Sequence, residues 1–179
     1  MTTKTGGLVL GLAVAAFMGL APAAQAQQAA AGAAATELGT FNAWTAWKAS
    51  DASGIICYIS AAPQKSEPSG ANRDPIHFMI IHRKGMGTKN EVQTIIGYPY
   101  NATDAKASAA VDGKVYPMVV EGSAGWLAST GDEGGFVAAF KAGSNLTVKG
   151  TSQRGTDTTD TYSLSGATAA MKAIDAACA

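Results

Sequence analysis

The chain holds few side chains able to do chemistry. Its two histidines, His77 and His82, lie in "PIHFMIIHRK". Five positions apart on a run that reads as a strand, they point to opposite faces, so they cannot jointly hold a metal. One packed and one exposed imidazole is expected. No G-x-S-x-G elbow occurs, since "GSAG" at 122–125 lacks the spacing. A Ser-His-Asp arrangement stays open as an alternative, because geometry and not chain order defines it. Asp157 and Asp160 in "QRGTDTTDTYS" sit among hydroxyls. A calcium loop needs oxygen ligands at alternating positions and a closing Glu, so a polar turn is expected here instead. No catalytic residue, metal ligand or cofactor site is assigned, and the protein is expected not to be an enzyme.

Two features remain. "GYPYN" at 97–101 places Tyr98 and Tyr100 around Pro99 at a strand end, where amphipathic rings on a stiff backbone can form a surface contact. Packing at the rim of the core is the competing reading. The second feature is a pair of cysteines, Cys57 and Cys178, whose state depends on the compartment.

The first residues carry one positive charge, Lys4, then an apolar run from Leu8 to Leu20 that Pro22 breaks. Spanning a bilayer takes about 20 apolar residues, so this run is too short. Its flanks and the Ala24-Gln25-Ala26 pattern read as a secretory signal over 1–26, cleaved after Ala26. Export favours an intramolecular Cys57–Cys178 bridge, with two reduced thiols or a bridge between chains as alternatives. Losing Lys4 takes the formal net charge from zero to one negative. That balance argues against nucleic acid as a partner, which needs clustered Lys and Arg, and against charge-driven attachment to lipid. No transmembrane segment is expected after signal cleavage.

Residues 27–40, "QQAAAGAAATELGT", have too little large apolar surface to offset the entropy of ordering, so a flexible leader is expected, with a single β-rich domain over 41–179. "FNAWTAWK" alternates with a tryptophan on each face. "GIICYIS", "PIHFMIIHRK", "NEVQTIIGYPY", "NLTVKG" and "DTYSLS" read as strands, and "ASAAVDGKVYPMVVEG" as a hairpin turning at Asp112-Gly113. "AAPQKSEPSGANRDP" reads as a loop. Asp132 and Glu133 open a short helix that carries Phe136 and Phe140 on one face and closes at Gly143. In the tail, Ala167, Ala170, Met171, Ile174 and Cys178 share one helical face, with Ser165 as the expected N-cap. Cys178 thus faces the core. The expected fold is mainly β: an antiparallel β-sandwich or partly closed barrel with a short internal helix and a C-terminal helix. "NAT" at Asn101 and "NLT" at Asn145 match glycosylation acceptors.

The ordered set "FNAW", "CYISAAP", "IIHRK", "NEVQTIIGYPY", "VDGK", "AFKAGSNLTVKG" and "DTYSLSGATAAM" resembles the invasion-associated locus B family of exported alphaproteobacterial proteins. The resemblance implies a periplasmic or secreted β-rich domain, some members being associated with host-cell invasion, and it brings no active-site residue. Family members often carry a further cysteine pair after the "DGK" hairpin. "YPMVVEGSAGWLA" has none, which marks a divergent subgroup. The functional expectation is a non-enzymatic periplasmic or secreted protein that binds an envelope or host component through loops on a rigid scaffold. A lipocalin-like small-ligand carrier is the alternative, although Gly39 and Trp44 are too far apart for the G-x-W signature. An apolar cavity would favour the carrier, and a filled core the scaffold.

Overall fold

The computed structural model describes residues 1–2 and 33–179. The expected signal beyond Thr2, its cleavage position and residues 27–32 of the expected leader lie outside the described residues. Among the described residues the strands are β1 (Ala33–Phe41), β2 (Trp44–Asp51), β3 (Gly54–Ala61), β4 (Lys65–Glu67), β5 (His77–Arg83) and β6 (Thr88–Ile95). They continue with β7 (Ser108–Val111), β8 (Lys114–Glu121), β9 (Ala124–Leu127), β10 (Asn145–Thr151) and β11 (Asp157–Ser163). Two helices, α1 (Glu133–Ala142) and α2 (Ala167–Ala177), interrupt and close the series. None is long and apolar enough to cross a membrane.

All eleven strands belong to one antiparallel sheet in the order β1-β2-β3-β5-β6-β9-β8-β7-β10-β11-β4. The sheet is not closed into a barrel, and β1 and β4 are its edges. It does curl over. Trp44 on β2 donates its indole N–H to the Ser163 carbonyl at the end of β11, at 2.9 Å, although eight places separate the two strands in the order.

Between the two halves lies an aromatic core. Trp44 meets Phe140 edge-on at 4.9 Å, and Phe78 contacts Phe136, Phe140 and Tyr162 at 5.9, 6.2 and 5.9 Å. Burying each such ring contributes roughly 1.5–3 kcal/mol. Phe136 and Phe140 share the inner face of α1, as their spacing requires, and Ala167, Ala170, Met171 and Ile174 are the buried face of α2. The mainly β architecture with its two helices is the expected one.

Particular elements differ. β1 occupies 33–41, so that 33–40 of the expected flexible leader are a strand: its residues 34–38 are exposed, and backbone pairing to β2 supplies the order that apolar burial does not. "FNAW" is split by a turn with Asn42 at φ 51°, so Phe41 ends one strand and Trp44 opens the next. Trp47 falls on the opposite face from Trp44, as expected, where it stacks on Tyr58 and donates to Ser60 Oγ. The loop "AAPQKSEPSGANRDP" contains the short β4, and "GSAGWLA" contains β9.

Ser165 does not cap α2. Gly166 takes that position at φ 90°, and a Cβ there would overlap the Phe41 carbonyl. The Ser165 hydroxyl instead accepts from Asn42 Nδ2 at 2.9 Å. Close approach between the first hairpin and the helix start therefore overrides capping. The Asp112-Gly113 turn has φ 45° and 89°, both positive as a two-residue type I′ hairpin demands.

Candidate functional site

The segment after β6 is held from both sides. Ile96 and Tyr100 donate backbone N–H groups to Ser123 and Gly122, while Asn101 donates to Thr151 and Gln153 donates to Pro99. Gly97 sits at φ 78°, and a Cβ there would overlap the Asp74 carbonyl. The Asp74 N–H donates to the Gly97 carbonyl at 2.9 Å. A side chain at 97 would thus push residues 73–74 away, which explains why the strand end carries glycine.

Three segments brought together this way wall an open groove of about 660 Å³: loop 68–74, segment 97–99 and the turn 152–156 between β10 and β11. Tyr98 is half-buried and Pro99 exposed at its margin. The Tyr98 ring is fixed at both ends of its polar reach. Its hydroxyl lies 2.6 Å from Thr158 Oγ1, and the Arg73 guanidinium covers the ring at 5.0 Å. Burial raises the Tyr98 phenol above its ordinary pKa, with the Thr158 hydrogen bond and the Arg73 charge opposing.

Arg73 is anchored in turn. It grips Asp160 with two parallel bonds, Nη1 to Oδ1 at 2.8 Å and Nη2 to Oδ2 at 2.7 Å, and its Nε donates to the Ile96 carbonyl at 2.9 Å. Asp160 is fully buried. The expected polar turn at 157–160 is therefore corrected: Asp157 opens β11 and Asp160 points inward from its middle. Asp157 accepts from the Thr151 hydroxyl at 2.6 Å.

The three contact residues separate. Tyr98 and Pro99 line the groove, whereas Tyr100 is 5% exposed and packs in the core, so it is no surface contact. Burial drives the Tyr100 and Tyr162 phenols far above the ordinary value. Neither hydroxyl has a hydrogen-bond partner among the described residues.

The imidazoles separate as expected, His77 exposed and His82 buried. The Asn90 N–H donates to His82 Nδ1, which makes Nε2 the protonated nitrogen, and Nε2 meets Asp175 Oδ1 at 3.1 Å. Lys89 and Lys141 also contact Asp175, at 3.1 and 3.7 Å. Among the described residues no group of three or more His, Cys, Asp or Glu is placed to hold a metal. Cys57, fully buried on β3, is bonded to Cys178 after α2 across 121 positions, with Cα atoms 6.0 Å apart. This ties α2 to the half of the sheet that it covers. Asn101 accepts from the backbone and hydroxyl of Thr103 in a local turn.

Arg73 and the groove residues Asn72, Gln153 and Arg154 were not foreseen. A signal for Asp160 was present: alternation in "DTTDTYS" puts Thr158, Asp160 and Tyr162 on one face, and an acid facing inward demands a buried cation.

No curated protein and no solved structure matches the chain. One family model does, that of the invasion associated locus B (IalB) protein, over residues 44–175, from the first residue of β2 into the last turn of α2. That match takes in the groove, its Arg73–Asp160 support and nearly all of the sheet, and the chain belongs to the invasion associated locus B family.

Proposed function

We propose that this is an exported, non-enzymatic protein of the periplasm or the extracellular space that binds an envelope or host component in the groove beside Tyr98 and Pro99. The carrying observation is the groove itself, walled by segments locked together through the Asp74–Gly97 hydrogen bond and the Arg73–Asp160 pair. A pre-formed, rigid wall spares a ligand the cost of ordering loops. The Cys57–Cys178 bridge supports export, because such bonds persist in oxidising compartments. Rings of Trp44, Phe78, Phe136 and Phe140 occupy the interior, which favours the scaffold over a carrier with an internal ligand.

Two measurements test the proposal. Mass spectrometry of the protein recovered from fractionated cells should find it outside the cytoplasm, starting at Gln27 and bridged; a full-length cytoplasmic protein with free thiols refutes export. A pull-down from envelope or host-surface fractions should retain a component that Tyr98→Ala and Arg154→Ala both release. Identical capture by all three proteins would remove the groove from the proposal.

A further inference from the structure

Besides the hydroxyls of Ser69 and Thr156, four of the groove's polar side chains are unspent. Asn72, Asp74, Gln153 and Arg154 line it, and none of their side chains makes a hydrogen bond or ion pair among the described residues. Each ends in a flat, two-point group: an amide, a carboxylate or a guanidinium. They surround a single half-buried aromatic ring, Tyr98, whose orientation Thr158 and Arg73 fix.

We infer that the groove binds a neutral oligosaccharide, with one sugar ring laid on the face of Tyr98 opposite the Arg73 guanidinium and its hydroxyls taken in pairs by Asn72, Asp74, Gln153 and Arg154. The inference rests on the groove being the binding site of the proposed function. A pyranose has an apolar C–H face that suits the negative face of an aromatic ring. Its edge carries adjacent hydroxyls, each donor and acceptor, which match amide, carboxylate and guanidinium forks.

Other ligand chemistries fit less well. Asp160 already neutralises Arg73, and the remaining Asp74 and Arg154 are of opposite sign, so the groove offers a polyanion no net attraction. An extended peptide binds best along a free strand edge, and the edge strand at this end, β4, has three residues. A fatty ligand would leave four polar groups desolvated without partners.

The test is a titration of the isotope-labelled, disulfide-bonded protein, followed by NMR, with three probes. Hexameric N-acetylglucosamine represents wall glycan, a mannose- and galactose-containing oligosaccharide mixture represents host surfaces, and a proline-rich decapeptide represents the other class. One saccharide probe should shift residues 68–74, 97–99 and 152–156, and which one responds identifies the source. Gln153→Ala and Arg154→Ala, on an exposed turn, should each weaken binding about tenfold. Tyr98→Phe, which keeps the ring, should stay within about twofold of the parent, whereas Tyr98→Ala should lose binding. Shifts confined to another surface, or saccharide affinity indifferent to Gln153→Ala and Arg154→Ala, overturn the inference. Groove shifts with the decapeptide alone overturn the sugar class and leave the binding site standing. Silence of every probe overturns the sugar class, and the pull-down with Tyr98→Ala and Arg154→Ala then decides separately whether the groove binds at all.

Discussion

Replacing Asp160 by Ala should destabilise the domain by about 3–5 kcal/mol, the usual consequence of leaving one member of a buried ion pair alone. The structure leads to that figure independently. The Arg73 side chain is 6% exposed and Asp160 is 0% exposed, so water cannot take over the two bonds that vanish. Each bond to a charged group contributes about 1.5–3 kcal/mol, giving about 3–6 kcal/mol for the pair. For a domain of this size, with a melting shift of about 2–4 °C per kcal/mol, a loss of about 3–5 kcal/mol corresponds to a Tm lower by roughly 6–20 °C. Urea and thermal unfolding followed by circular dichroism measure it. The double variant Arg73→Met with Asp160→Leu should recover most of the loss, because it leaves neither charge buried. A single variant within about 1 kcal/mol of the parent, or a double variant as unstable as the sum of its parts, would refute the reasoning.

Further outcomes are expected. Cys178→Ala, or reduction of the bridge, should lower stability by up to about 5 kcal/mol, the loop entropy of a 121-residue separation; an unchanged melt in both would contradict the staple. The Asp112 carboxyl is held below its ordinary pKa by the N–H groups of Ser144 and Asn145. Burial alone raises Asp175, but hydrogen bonds from Lys89 and His82 and the charges of Lys89 and Lys141 carry it below. Depressed carboxyls stabilise the fold above the unfolded value near pH 4, and that share is lost as pH falls through the folded values. Urea unfolding should therefore show stability dropping on acidification below about pH 4, with a shallower drop in Asp112→Asn, which keeps a residue suited to the left-handed turn. Gly97→Ala should cost about 2 kcal/mol or more, from its φ of 78° and the overlap with Asp74, and should distort the groove; parental stability by urea unfolding would refute the close approach.

What was legible in the residues was whatever is set locally or by burial. The Asp112-Gly113 turn is readable because so few dipeptides accept two positive φ values, and the tail helix because Ala170, Met171 and Ile174 repeat at helical spacing. The Cys57–Cys178 pairing followed from there being only two cysteines to join. β1 was not legible, because its exposed "AATEL" has no apolar alternation and is ordered by the backbone of β2. Ser165 has the right chemistry for a cap, but Asn42, 123 positions away, claims its hydroxyl. In the same way Tyr98 and Tyr100 look equivalent along the chain. Only the fold decides that one lines a groove and the other enters the core.

The exposed loop at residues 69–72 lies between the two bonded sulfurs in chain order. Hydrolysis of a peptide bond there would open the polypeptide without dividing the molecule, since Cys57 stays with the upstream piece and Cys178 with the downstream one. β3 would also remain zipped to β5, and β4 to β11. A protease meeting this protein at the groove's rim would leave a two-chain molecule of unchanged mass plus one water, which parts only when a reductant and a denaturant act together.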